Sequence, residues 1–379
     1  MRKVFNYPFS MSNGVQHRLF LSLLAGLLMV CTACPHKPEE PTPLNITIPY
    51  GFPTRLNIPD DNPMTVEGVA LGERLFHDPH LCGYTGNHPD SLMSCASCHD
   101  KTHNYDLGND NPRLVNGRAV GRTGKPTRHN AMPLMNLVFN HEGYFWNGSI
   151  CPSNTNANRR SIEDIVLMAI TADDELCSTK ERTLAALRAD SRYPEMFKKA
   201  FGSDDITMEC VQKAIAQYVR SLVSGNSKFD RYLQGKEQLT PQELHGYILF
   251  TTEEGADCFH CHGSEGSPLF TTNLFYNNGL DNVFSDPSDR FSVTGHAADH
   301  GAYRAPSLRN IAVSAPYMHD GRFKTLDEVL AFYNSGLQPS PYVSPLMHHI
   351  NDGGVLLSTS EIADLKAFLN TLTDDEFLK

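Results

Sequence analysis

From Val66 onward, apolar residues recur at helical spacing between long polar loops, and alternating strand-like runs are few. In TMECVQKAIAQYVRSLVSG, Val211, Ile215, Tyr218 and Leu222 fall on one helical face. Start signals mark the other runs. Ser161 precedes IEDIVLMAI with Asp164 three residues on, a capping box in which each side chain satisfies an unpaired backbone N–H of the other's position. Thr240, Pro241 and Glu243 open a helix over PQELHGYILF in the same way. Thr325 and Glu328 open another, with Gly336 as its stop. The last run, SEIADLKAFLNTL, aligns Ile362, Leu365, Leu369 and Leu372. The pattern predicts a mainly α chain with long loops.

The ends of these runs divide the chain. The stretch from Gly225 to Thr240 is polar and separates two helical regions, which predicts units over 64–232 and 233–379. Residues 35–63 are rich in Pro without helical periodicity and read as a tether or an extended arm over the first unit. Ahead of them, Arg18 precedes the apolar run LFLSLLAGLLMV, which is shorter than the roughly 20 residues a bilayer span needs. It has the length of a signal-peptide core. The following CTAC resembles a bacterial lipoprotein cleavage site with Cys34 as the lipidated residue, so 1–34 reads as a lipoprotein-type signal peptide; simple secretion is the alternative. Met11 offers a second start. The location expected is the periplasm, with membrane contact only through the lipid anchor.

The formal net charge is −11, and no basic cluster offsets it. That excludes nucleic-acid binding through phosphates and suits a basic protein partner.

Export makes the ten cysteines informative. Cys31 and Cys34 belong to the leader. Cys95, Cys98 and His99 form one Cys-x-x-Cys-His, and Cys258, Cys261 and His262 form another. Two thiols at this spacing reach the two vinyl groups of one porphyrin, and the adjacent His is then held under the iron. A zinc site usually brings its pairs close together in sequence and needs no His after each. A redox dithiol lacks its βαβ surroundings here. One motif per half predicts two covalently bound haem c groups. His260, inside the second motif, reads as solvent-facing filler. Cys82, Cys151, Cys177 and Cys210 remain; they allow three pairings, with Cys151–Cys177 favoured because it staples a polar insertion.

Several stretches carry a resemblance: VALGERLFHDPHL, SCASCH, RHNAMPLMNLVFN, YFWNGS, IEDIVLMAITADDEL, DCFHCH, YRAPSLRNIAVSAPYMHDGRFKTLDEVLAFYNSG and IADLKAFLNTL. In this order they resemble the bacterial di-haem cytochrome c peroxidase family, which includes the methylamine-utilisation oxidase MauG. The resemblance implies two cytochrome c-like haem domains. The N-terminal haem reacts with hydrogen peroxide, and the C-terminal haem takes electrons from a small donor, a c-type cytochrome or cupredoxin. It also implies roles for particular residues. Glu175 matches a distal carboxylate that moves the proton when the O–O bond splits. Trp146 matches a tryptophan between the haems. Tyr333 stands where the peroxidases carry a Met ligand to the second iron, with Met347 as the fallback. Asn130, with the backbone carbonyls of Ser314 and Pro316, matches a calcium site. The peroxidase loop that supplies a resting His ligand to the first iron matches LVNGRAVGRTGKPTRHN, with Arg122 near the aligned position; His103 and His129 are nearby alternatives. Homodimers are common in the family.

The expected function is therefore reduction of hydrogen peroxide to water. One alternative is a MauG-like oxidase acting on a protein or organic substrate, favoured by Tyr333 and the missing His. A second is a non-enzymatic electron-transfer cytochrome, which requires two strong axial ligands on both irons.

Overall fold

The computed structural model describes residues 40–84, 92–153, 159–263 and 266–379. The leader, with Cys31 and Cys34, lies outside them. Eleven α-helices are present among the described residues: α1 Val66–His77, α2 Ile162–Thr171, α3 Lys180–Ala189, α4 Tyr193–Phe201, α5 Met208–Ser221, α6 Lys228–Leu233, α7 Pro241–Phe250, α8 Phe259–His262, α9 Phe291–Thr294, α10 Leu326–Ser335 and α11 Thr359–Asn370. Apart from isolated bridges, the β structure among the described residues is two short antiparallel strand pairs. One joins Leu114–Val115 to Arg118–Ala119; the other joins Phe275–Tyr276 to Tyr303–Arg304, with Tyr276 opposite Tyr303.

The capping residues act where the sequence places them. Ser161, Thr240, Thr325 and Ser358 each complete a capping box with an acidic residue at the third helical position. On α5, Val211, Ile215 and Tyr218 are buried, and Leu222 caps the helix from inside the same core.

Two large hydrophobic cores result, with two smaller clusters among the described residues, one around Phe52 and Phe139 and one around Leu280, Phe332 and Leu337. The first packs α5 against α1 and α2 and gathers Leu71, Leu75, Phe76, Val211 and Ile215. The second packs α7 against α11 around Phe229, Phe250 and Phe368. Phe229 lies on α6, so the helix that straddles the sequence-based boundary at 232/233 contributes to the second core. Buried polar groups join the halves. The Asp374 carboxylate accepts from Ser224 Oγ, Gly225 N and Asn226 N at 2.9–3.1 Å. Asn310 Nδ2 donates to Asn104 Oδ1 at 2.9 Å. Arg309 and Asp230, both buried, form a two-armed ion pair.

The Pro-rich segment is an arm rather than a free tether over its described part. Phe52 is buried and meets Phe139 edge-on at 5.3 Å, with the Arg309 guanidinium 4.6 Å from the Phe52 ring centre. Cys151 and Cys177 do not pair, contrary to the favoured staple. Both are free thiols. Cys151 Sγ lies 3.1 Å from Glu142 O, while Cys177 sits at φ +46° on a turn held from elsewhere.

Candidate active site

The first motif occupies a tight turn. Ser97 Oγ accepts from Ser94 N at 3.0 Å, and His99 N donates to Cys95 O, so the two thiols and the imidazole are carried by one rigid loop. His99 Nδ1 lies 2.8 Å from Tyr105 O. A carbonyl only accepts, so Nδ1 carries the proton and Nε2 keeps its lone pair for a metal. Desolvation lowers the pKa of His99, which favours the neutral ring a ligand requires.

The second motif repeats this arrangement on α8. His262 Nδ1 donates to Pro306 O at 3.1 Å, and desolvation lowers its pKa to about 4. A mostly apolar cavity opens in front of it, bordered by Cys258, Cys261, His262, Trp146, Tyr333 and Met347.

Desolvation pushes all four motif thiols up to about 12. Zinc ligation and dithiol exchange both need thiolates. Among the described residues the two Cys pairs also do not gather into one metal-binding cluster. The residues therefore fit covalent haem attachment better than either rival.

Glu175 lies on the turn after α2. Its negative charge contributes to raising the pKa of both Cys95 and Cys98, so its carboxyl lies near the first motif's thiols. Desolvation, then repulsion from Asp174, raises its own pKa to about 7. The turn is held by a clamp that the sequence does not announce. Arg122 N donates to Glu175 O at 2.8 Å, Arg122 Nε to Leu176 O at 2.8 Å, and Arg122 Nη2 to Cys177 O at 2.7 Å. Next to it, a Cβ on Gly121 would meet Asp174 O at 2.2 Å, so the two loops are in backbone contact. Arg122 thus spends its donors on carbonyls of the Glu175 turn.

Neither alternative His is directed at the first motif's pocket by its partners. His103 lies 3.3 Å from Asp110, and His129 Nε2 pairs with Asp286 at 2.7 Å beside Tyr303 and His319.

On α10, Tyr333 faces the second cavity, where Cys261 and Cys258 both influence its ionisation. Asn278 Nδ2 donates to Tyr333 Oη at 2.9 Å. Desolvation raises the phenol pKa while Asn278 opposes the shift, so the phenolate forms only against a cation. Val329 and Leu330 border the same cavity, so packing there and facing the cavity are the same placement.

Trp146 is buried at the border of the second cavity. Its Nε1 donates to Asn130 O at 2.9 Å, and its carbonyl accepts from Arg304 N at 2.7 Å. Asn130 Nδ2 donates to Pro316 O at 2.7 Å, while Asn130 Oδ1 is buried without a hydrogen-bond partner. A buried, unpaired amide oxygen beside a proline carbonyl fits a hard cation. Ser314 Oγ is used internally, donating to Asn310 O.

The backbone acceptors of Tyr105 and Pro306, the Asn278 donor and the Arg122 clamp carry no mark in the sequence. Only the polarity of Asn278 and Arg122 hints at a buried partner. His260 departs from its expectation as filler: its ring is mostly covered, and Nδ1 lies 2.6 Å from Asp257 Oδ1.

Comparisons with known proteins fit this geometry. Residues 66–238 match the family described as di-haem cytochrome c peroxidase. The chain is 33% identical over 316 residues to the methylamine utilization protein MauG of Methylorubrum extorquens, across 83% of this chain and 80% of that one. It is 29% identical to the cytochrome c551 peroxidase of Nitrosomonas europaea, across 83% and 82%. Among solved structures it is similar to a MauG-like protein associated with microbial copper homeostasis, with a TM-score of 0.74 and 32% identity over 89% of this chain and 97% of that one.

Proposed function

The chain belongs to the di-haem cytochrome c peroxidase family, and from that premise we propose that it reduces hydrogen peroxide to water at the first motif, with electrons entering at the second. It is an oxidoreductase, and covalently bound haem c is its cofactor. The reaction consumes one peroxide, two electrons and two protons and yields two waters. The electrons come from a small donor protein such as a c-type cytochrome.

Cys95 and Cys98 hold the first haem and His99 its iron; Cys258, Cys261 and His262 do the same for the second. The haems supply the redox equivalents and a Lewis-acidic face for one peroxide oxygen. The chain supplies the rest. Glu175 takes a proton from one peroxide oxygen and returns it to the other as that oxygen leaves. Arg122 holds the Glu175 turn in place. Trp146 lies on the path between the two sites. Tyr333 would hold the second iron, with Asn278 fixing its oxygen. The Glu175 carboxyl, close enough to Cys95 and Cys98 to raise the pKa of both thiols, is the observation that carries this reading.

The first site is open at rest, because Arg122 replaces the loop His and both His103 and His129 are engaged by carboxylates. This disfavours a pure electron carrier. It also supports the second reading, a MauG-like oxidase acting on a protein or organic substrate, as does Tyr333 in place of Met.

The two haem units are centred on the two cores. Calcium at Asn130 and Pro316, joined by the Ser314 carbonyl, ties them together. The leader delivers the chain to the periplasm, and Cys34 anchors it by lipid.

The test is turnover of the purified holoprotein with hydrogen peroxide and a reduced c-type cytochrome. Glu175→Gln should lower kcat/KM by about 10²- to 10⁴-fold, the usual worth of a positioned proton-transfer group. Unchanged turnover in that variant would refute the role given to Glu175.

A further inference from the structure

The second motif carries more than haem-attachment residues. Asp257 precedes Cys258 with its backbone in the left-handed region, φ +52°, which Asp adopts when its side chain is locally engaged. Its side chain is 6% exposed and touches two imidazoles. His260 Nδ1 lies 2.6 Å from Asp257 Oδ1, and His348 Nδ1 lies 3.1 Å from Asp257 Oδ2. A carboxylate only accepts, so each neutral ring keeps its proton on Nδ1 and leaves Nε2 as a lone-pair donor. A carboxylate behind a histidine is the arrangement that orients metal-ligating imidazoles.

A third donor completes the group. His260 Nε2 lies 3.7 Å from Glu253 Oε1. The ligand atoms of Glu253, His260 and His348 all fall within 4.8 Å of one another. Zinc–ligand bonds of about 2.0–2.1 Å place tetrahedral ligand atoms roughly 3.4 Å apart, so only a small closure is needed. His349 Nε2 lies 2.9 Å from Glu253 O and braces that segment. The two rings meet edge-on, with centroids 5.0 Å apart.

The charge also matches. Two carboxylates and two neutral imidazoles sum to −2, and among the described residues neither carboxylate is paired with a Lys or Arg. Two nitrogens and one oxygen suit borderline transition metals, whereas calcium and magnesium prefer all-oxygen sites.

We propose that Glu253, His260 and His348, oriented by Asp257, form a binding site for one divalent transition-metal ion, with zinc(II) and copper(II) as matching occupants. Asp257 and His348 also border the second cavity, so the ion sits beside the electron-entry side of the molecule and links the second motif to the His348 segment. Binding is read without turnover, so this site stands or falls apart from the peroxidase reading.

The experiment uses chelator-treated holoprotein carrying both haems, titrated with zinc(II) by calorimetry and with copper(II) by electron paramagnetic resonance. One equivalent should bind, and the copper signal should show coupling to two nitrogens. Asp257→Asn should weaken zinc by about 10- to 100-fold, the usual cost of losing a ligand-orienting partner. His348→Gln and Glu253→Gln should each weaken it at least as much, with haem absorbance reporting that these variants are folded and loaded. Absence of saturable binding of either ion would overturn the site, as would unchanged affinity in both His348→Gln and Glu253→Gln.

Discussion

Glu175 and Tyr333 show how much a residue's surroundings decide. Glu175 is one acid in an acidic trio, yet desolvation raises its pKa to about 7, where it can both accept and donate a proton near neutral pH. Acceptance of the first peroxide proton needs the ionised form. Reactivity with peroxide should therefore rise with pH through about 7 and level off above it. Glu175→Gln should abolish that dependence; stopped-flow mixing of the oxidised protein with peroxide across neutral pH checks both. For Tyr333, replacement of a phenolate by a thioether favours ferrous iron. Tyr333→Met should raise the second haem's midpoint potential by on the order of 0.1 V, within the ~0.8 V that axial ligands span. Spectroelectrochemical titration reads it, and an unmoved potential would return Tyr333 to a packing role. The motif Cys and His residues were legible because covalent attachment fixes their spacing. Tyr105 O, Pro306 O and the Asp257 carboxylate were not, because what selects them is where the loops bring them.

At the scale of elements, the helices were legible and the loops were not. Capping boxes at Ser161, Thr240 and Thr325 are local and act as written. The contact between the Gly121–Arg122 loop and the Asp174–Cys177 turn is non-local and made by backbone, so periodicity is blind to it. It has a consequence for activity. Gly121→Ala puts a Cβ against Asp174 O, which cannot yield without moving the Glu175 turn. An ångström-scale displacement of a catalytic group costs about 10²-fold in rate. Gly121→Ala should thus lose peroxide reactivity to that extent while keeping both haems, as measured by single-turnover kinetics alongside haem content. The disulfide expectation failed on the same ground: spacing favoured Cys151 with Cys177, whereas the Arg122 clamp fixes the Cys177 turn and Cys151 turns to Glu142.

Across the whole molecule, two large helical cores are joined by buried polar groups. The sequence placed the division near Gly225–Thr240 from polarity alone, but α6 lies inside that stretch's margin and lends Phe229 to the second core. The Arg309–Asp230 pair next to it is fully enclosed. Removing one partner leaves the other charge buried and unpaired, so Asp230→Ala should cost about 3–5 kcal/mol of stability. Denaturant unfolding of the holoprotein measures this. The pair joins residues far apart in sequence, and nothing local to Arg309 or Asp230 marks them as partners.

The central claim is that the first site is open at rest and reacts with peroxide without prior reduction. The direct measurement adds one equivalent of hydrogen peroxide to fully oxidised holoprotein and follows electron paramagnetic resonance and absorbance. The account requires a high-spin ferric signal beforehand and its immediate loss on mixing. A low-spin resting state that reacts only after one electron is added would contradict it, and would mean that a ligand such as His103 or His129 leaves its carboxylate partner to close the site.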